Sequence, residues 1–183
     1  MITPEEHFSA ALPVRIPAAQ AAQLAEDAWR QPLPVADPML TYFPLFGVVF
    51  EVQADGLFAG PAKSLQGRQY QVVVDRSSST PLITAWEAAE LLPEIPLPQE
   101  LDGVCVQLVA PENPAWRATE QQAINIAHRA VVTVLLRRLK LGAQFQLRCV
   151  QSVWPLWKPN WRFTTSSVRA LVDARNGNVV FQR

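Results

Sequence analysis

Residues 153–163 read VWPLWKPNWRF, with three tryptophans, two prolines and two cations in eleven positions. The segment is either a surface that holds a ligand or a piece of core. Along a strand, side chains two residues apart share a face. Trp157, Trp161 and Phe163 therefore fall on one side, and Trp154, Lys158 and Arg162 on the other. An apolar row with a polar reverse is the pattern of a half-buried strand, so the first set is read as core. The second set is the candidate partner-binding surface, because an aromatic ring with flanking cations can hold an anion, a stacked base or a peptide. Pro155 and Pro159 lack N–H donors, which predicts an edge or bulged strand. On the plainer reading, proline and charge only guard that edge against pairing with another sheet.

A similar pattern occurs earlier. Laid over 153–163, residues 42–52 (YFPLFGVVFEV) place Pro44 on Pro155, Leu45 on Leu156, Phe46 on Trp157 and Phe50 on Trp161, an offset of 111. Residues 71–75 (QVVVD) fall on 169–173 (RALVD) with an offset of 98, and an insertion within 53–67 accounts for the difference of 13. The expectation is an α+β protein of two similar units, each a helix packed on a small antiparallel sheet. An acidic N-terminal unit (1–92) and a basic C-terminal unit (104–183) are joined by a Pro-rich linker (93–103) and packed as one compact body. A single such unit of about 80 residues buries too little surface to be stable alone.

The elements follow from local signals. The Ala- and Gln-rich stretch 17–32 reads as a helix opened and closed by proline. Alternation marks strands at 41–52 and near 71–75, the second followed by a polar turn and a short extended tail. Thr84 with Glu87 is a capping signature for a short helix at about 85–92. A strand, GVCVQLVA, opens the second half. The firmest helix spans 119–142, with Thr119 and Gln122 as capping pair and Gly142 as stop. After it come QFQLRCVQSVW, PNWRF, SVRALVDA and NVVFQ, the last two flanking an Asn-Gly turn.

The 183 residues are 49% hydrophobic with zero net charge. Residues 1–103 carry 5 Lys+Arg against 13 Asp+Glu, and residues 104–183 carry 11 against 3. Halves of opposite sign attract one another, or the opposite half of a second copy, which would favour a homodimer. The basic half could also bind nucleic acid, but a neutral chain argues against it. The N-terminus has acids where a secretory signal carries bases, and no run approaches the ~20 apolar residues of a membrane span, so a cytoplasmic protein without membrane contact is expected. Cys105 and Cys149 sit in alternating apolar runs and read as small buried hydrophobes.

Residues 168–180, VRALVDARNGNVV, resemble the end of a PepSY-type unit, in which a strand closes on Val-Asp-Ala, turns on a Gly-containing loop and returns. The matching residues are Ala170, Leu171, Val172, Asp173, Ala174 and Gly177. The earlier copy keeps Asp75 but has no glycine in its turn. Similar units occur in protease propeptides and bacterial regulators, so the resemblance implies a binding or inhibitory module without catalytic residues. It also implies that Asp75 and Asp173 are turn residues accepting local backbone hydrogen bonds.

Few residues offer chemistry of their own. His7 lies in a start read as unstructured. His128 shares the apolar stripe of the long helix, where a boundary histidine is the plainer reading and a general base the sharper one. The serines at 77–79 and 166–167 stand in turns without a nucleophile-elbow pattern. Glu87 and Glu90 could pair as carboxylates. No phosphate loop or metal-ligand spacing is present, and no cofactor or metal is expected. The resulting expectation is a non-catalytic binding or regulatory protein meeting a protein or peptide. Its rivals are a small hydrolase-type enzyme using His128, and nucleic-acid binding through the basic half.

Overall fold

The computed structural model describes residues 2–30, 38–54, 60–76, 78–84, 86, 90–93, 105–108, 118–139, 144–164 and 169–182. Their order is β1 (Glu6–Ala11), α1 (Ala18–Trp29), β2 (Met39–Gln53), a 3-10 helix (Gly60–Leu65), β3 (Gln69–Asp75), β4 (Thr80–Ile83) and β5 (Cys105–Leu108), followed by α2 (Glu120–Arg138), β6 (Gln146–Thr164), β7 (Arg169–Asp173) and β8 (Val179–Gln182). The strands hydrogen-bond in the order β4-β3-β2-β6-β7-β8, with β1 on β6 and β5 parallel to β2. The helix expected at 85–92 and the linker at 93–103 lie largely outside the described residues. Leu92, at the end of that helix, instead makes an isolated bridge to Ala11. His7 falls within strand β1, not in an unstructured start.

The expectation of two units, each with its own helix on its own small sheet, is overturned. Strand makes up 47% of the described residues, against two helices. The cause lies in β2 and β6, which at 15 and 19 residues would run about 50 and 60 Å at ~3.3 Å per residue. Neither fits one small helix-on-sheet unit. Spatially the chain falls into one unit of 1–9, 45–88 and 112–156, and another of 10–44, 89–111 and 157–183. Each long strand gives its first residues to one unit and its last to the other. Each helix therefore stays with the start of the strand that follows it, and packs on a hairpin from the other half of the sequence: α1 on β7 and β8, α2 on β3 and β4.

In the first unit, Phe46, Val48, Phe50 and Val52 of β2 and Tyr70, Val72 and Val74 of β3 form one buried face. It packs against Ala123, Ile124, Ala127, Val131 and Leu135 of α2. The register pairs Phe46 with Val74 and Phe50 with Tyr70. α2 starts as its sequence dictates: the Thr119 hydroxyl accepts from the Gln122 N–H at 3.2 Å, and the Gln122 side chain accepts from the Thr119 N–H at 2.8 Å. On the other face of β2, a Cβ on Gly47 would lie 3.0 Å from Leu156 Cδ2, and 3.3 Å from both Trp86 Cζ2 and Val153 Cβ. Gly47→Val is expected to lower stability by about 1–3 kcal/mol through overpacking. An unchanged urea midpoint would show that Trp86 and Leu156 yield freely.

In the second unit, Trp157, Trp161 and Phe163 of β6 are buried with Ala170 and Val172 of β7, Leu40 and Tyr42 of β2, and Ala21 and Ala25 of α1. The aromatic row is core, as alternation indicates, but its cover is α1 and not the long helix that precedes it in sequence. The repeat alignment fails on register. Val74 pairs with Phe46, whereas Val172 pairs with Trp161, so matching the two valines puts Phe46 on Trp161 and not on Trp157.

Of the edge or bulged strand expected here, the edge is corrected, while the burial pattern does break phase within the strand. QFQLRCVQSVW and PNWRF are one strand, β6, lying between β2 and β7. Pro159 is tolerated there because its partner strand ends at Asp173. Its carbonyl still accepts from the Ala174 N–H at 3.2 Å, so the missing donor affects only the last rung. Cys149 is a buried free thiol whose pKa burial pushes up to about 11. The side chain of Cys105 lies outside the description. No helix among the described residues is long and apolar enough to cross a membrane.

Candidate functional site

The ladder of β6, β7 and β8 sets two faces in the second unit. On the helix side, Trp161, Val172 and Val179 form one row and Phe163, Ala170 and Phe181 the next. The Trp161 indole donates to the Ile16 carbonyl at 2.6 Å, and the Phe181 ring lies 5.0 Å from that of Trp29. On the outer side run Arg162–Leu171–Val180 and Thr164–Arg169, with Asn160 beside Asp173. Val180 is 58% exposed, and Arg169 is exposed and makes no ion pair among the described residues.

Lys158 and Arg162 both belong to this unit. The Lys158 ammonium sits 2.8 Å from Asp173 Oδ2, and Asp173 is nearly buried. Asp173 Oδ1 also accepts from the Arg175 N–H at 2.9 Å, inside the turn where Gly177 takes φ +76°. That carboxylate is thus neutralised and held locally. Arg162 Nη2 lies 2.8 Å from the Met39 sulfur. A second ion cluster was not visible in the sequence: Glu90 is bridged by Arg15 and by Arg175, the latter at 2.7 Å. Sequence reasoning paired Glu90 with Glu87, which lies outside the described residues.

Trp154 belongs to the first unit. Leu156 and Trp157 are both buried, which breaks the alternation between Trp154 and the 157–163 run, and Trp154 packs against the α2 core. Its ring centroid lies 6.0 Å from that of Phe46, and the Arg76 guanidinium stands 4.5 Å over it. Arg76 in turn donates to the Ala118 carbonyl at 2.8 Å, and burial lowers its pKa while Glu120 opposes that shift. Trp154 is therefore a covered packing group, whereas Lys158 and Arg162 lie on the outer sheet face of the second unit.

His128 packs edge-on against Phe50, centroids 5.7 Å apart, and desolvation holds its pKa below the ordinary 6.5. Below pH 6.5 the unfolded chain takes up a proton that the folded chain resists, so stability rises with pH through the window just under 6.5. His128→Leu is expected to flatten that part of a stability–pH curve, as followed by thermal melts. A slope that survives the substitution would mean that other groups set it. Among the described residues, Ser78 donates to Asp75 at 2.8 Å, and no group of three His, Cys, Asp or Glu residues could hold a metal. Compared with protein-family models, curated proteins and solved structures, the chain shows no match, so any functional reading rests on these residues.

Proposed function

We propose that this is a non-catalytic binding protein, PepSY-like in kind, whose outer β6–β7–β8 face meets a protein or peptide. One observation carries the reading: that face exposes Val180 and Arg169 beside Leu171 and Arg162, while its carboxylate, Asp173, is already matched by Lys158. An apolar strip among cations suits a partner with apolar and acidic groups, and the cations favour its approach at low salt. Elsewhere, several described ionisable groups are taken up in internal pairs, Glu90 with Arg15 and Arg175, and Arg148 with Glu51 and Glu5.

The test is capture of a partner from the source cell by the wild-type chain and by Lys158→Glu/Arg162→Glu. The wild type is expected to retain a partner that the variant loses. Equal capture by both would remove this face from the reading. Turnover of an ester or peptide substrate that His128→Ala abolishes would replace the reading with an enzyme. Nucleic-acid binding is less favoured, because the two units carry 9 Lys+Arg against 8 Asp+Glu and 7 against 8, and neither is a basic body.

A further inference from the structure

The two ends of the strand order differ in what their backbones offer. At β4, the Thr84 N–H donates to the Gln71 carbonyl at 3.1 Å. In an antiparallel ladder, alternate residues turn both backbone groups to the partner strand. Thr84, Leu82 and Thr80 therefore face β3, leaving Pro81 and Ile83 to face outward. Proline has no N–H, so half of this edge's outward donors are missing, a common way to blunt an edge.

At β8 the same reasoning gives the opposite result. The Asp173 N–H donates to the Asn178 carbonyl at 2.9 Å, so Asn178, Val180 and Gln182 face β7. Val179 and Phe181 turn their N–H and C=O groups outward. Neither is proline, and no strand pairs with this side of β8 among the described residues. The inner side chains of this edge are anchored, Phe181 against Trp29 and Val179 against the α1 core. Its outer side chain, Val180, is open to solvent.

From this edge we infer that β8 takes an extended acidic peptide by strand addition. The inference rests on the binding reading above and names the partner's chemistry. Backbone groups of Val179 and Phe181 supply the ladder, which gives affinity without side-chain specificity. The outer face supplies the preference: apolar contact at Val180, then Arg169 one strand further in and Arg162 two strands in. A peptide side chain lies about 10 Å, two strand spacings, from the β7 row that holds Arg169, a gap that a glutamate and an arginine can close together. A second copy of this chain would bring the same cations to the same face, so the acidic peptide is the better fit.

The probe is a fluorescein-labelled peptide alternating Glu and Val over seven residues, read by anisotropy at low salt. It is expected to bind the full chain, and to bind about tenfold or more weakly when the alternate amides that face β8 are N-methylated, since the peptide's N–H donors to the ladder are then removed. Val179→Pro, which removes an outward N–H and leaves the rungs to β7 intact, should weaken it similarly, as should Arg169→Glu. Equal binding of a Lys/Val peptide, or indifference to N-methylation, would overturn the inference even if Val179→Pro failed to fold. So would a self-associated wild type, by sedimentation, that Val179→Pro converts to monomer. Capture of a cellular partner that ignores Val179→Pro would end strand addition and leave the binding reading standing. Catalysis through His128 would end the binding reading itself.

Discussion

Fragments 1–92 and 104–183, produced separately, are expected to show no cooperative thermal transition and to regain one on mixing. The first fragment holds β2, β3 and β4 but not α2, so Phe46, Val48, Phe50, Val52, Val72 and Val74 would face water. The second holds Trp157, Trp161, Phe163 and Val172 without the α1 residues Ala21 and Ala25 that cover them. Each buried large side chain contributes about 1.5–3 kcal/mol, so baring several removes more than the whole stability of a typical domain. Circular dichroism and near-ultraviolet tryptophan signals on each fragment and on the mixture would decide it. A sharp melt from either fragment alone would mean that its helix can cover its own strands, contrary to the packing of α1 on β7 and β8.

The second large effect is expected at Trp161. Its side chain is 3% exposed, its row includes Val172 and Val179, and its indole N–H holds the Ile16 carbonyl. Trp161→Ala should destabilise by about 3–5 kcal/mol through lost burial and the cavity left behind. Trp161→Phe keeps most of the apolar bulk but orphans the Ile16 carbonyl, and should cost about 1–3 kcal/mol. Urea denaturation of the three proteins separates the terms. A Phe variant as unstable as the Ala variant would show that the hydrogen bond, and not the volume, anchors the loop before α1.

Much of the local structure was legible. Alternation in 46–52 and 157–163 marked the two core faces, Thr119 and Gln122 marked the start of α2, and the Asn-Gly turn marked the β7–β8 hairpin. What the sequence hid was partnership. Pro155 and Pro159 looked like a break, because a proline's missing donor is visible in sequence while the point where its neighbouring strand ends is not. With β6 cut in two, each helix was assigned to its own half. Trp154 departs from its expected face for a related reason: period two carries a face assignment only until the strand slips phase, as it does at Leu156 and Trp157. Glu90's bridge to Arg15 and Arg175 spans residues 75 and 85 apart, and no local pattern announces it. The edges were the least legible, since which backbone groups of β8 point outward depends on a single rung, Asp173 to Asn178.

The exchange of segments also changes the meaning of the charge pattern. Counted along the chain, the halves carry −8 and +8, yet the two spatial units come to +1 and −1. Before folding, the polypeptide is a two-block polyampholyte whose ends draw together. Collapse of such a coil brings the segment of β2 toward that of β6, the pairing from which the rest of the sheet extends. The acid–base asymmetry then acts on the search for the fold and is balanced within each unit of the native state, where charge acts locally, as at Arg162 and Arg169 on the outer face.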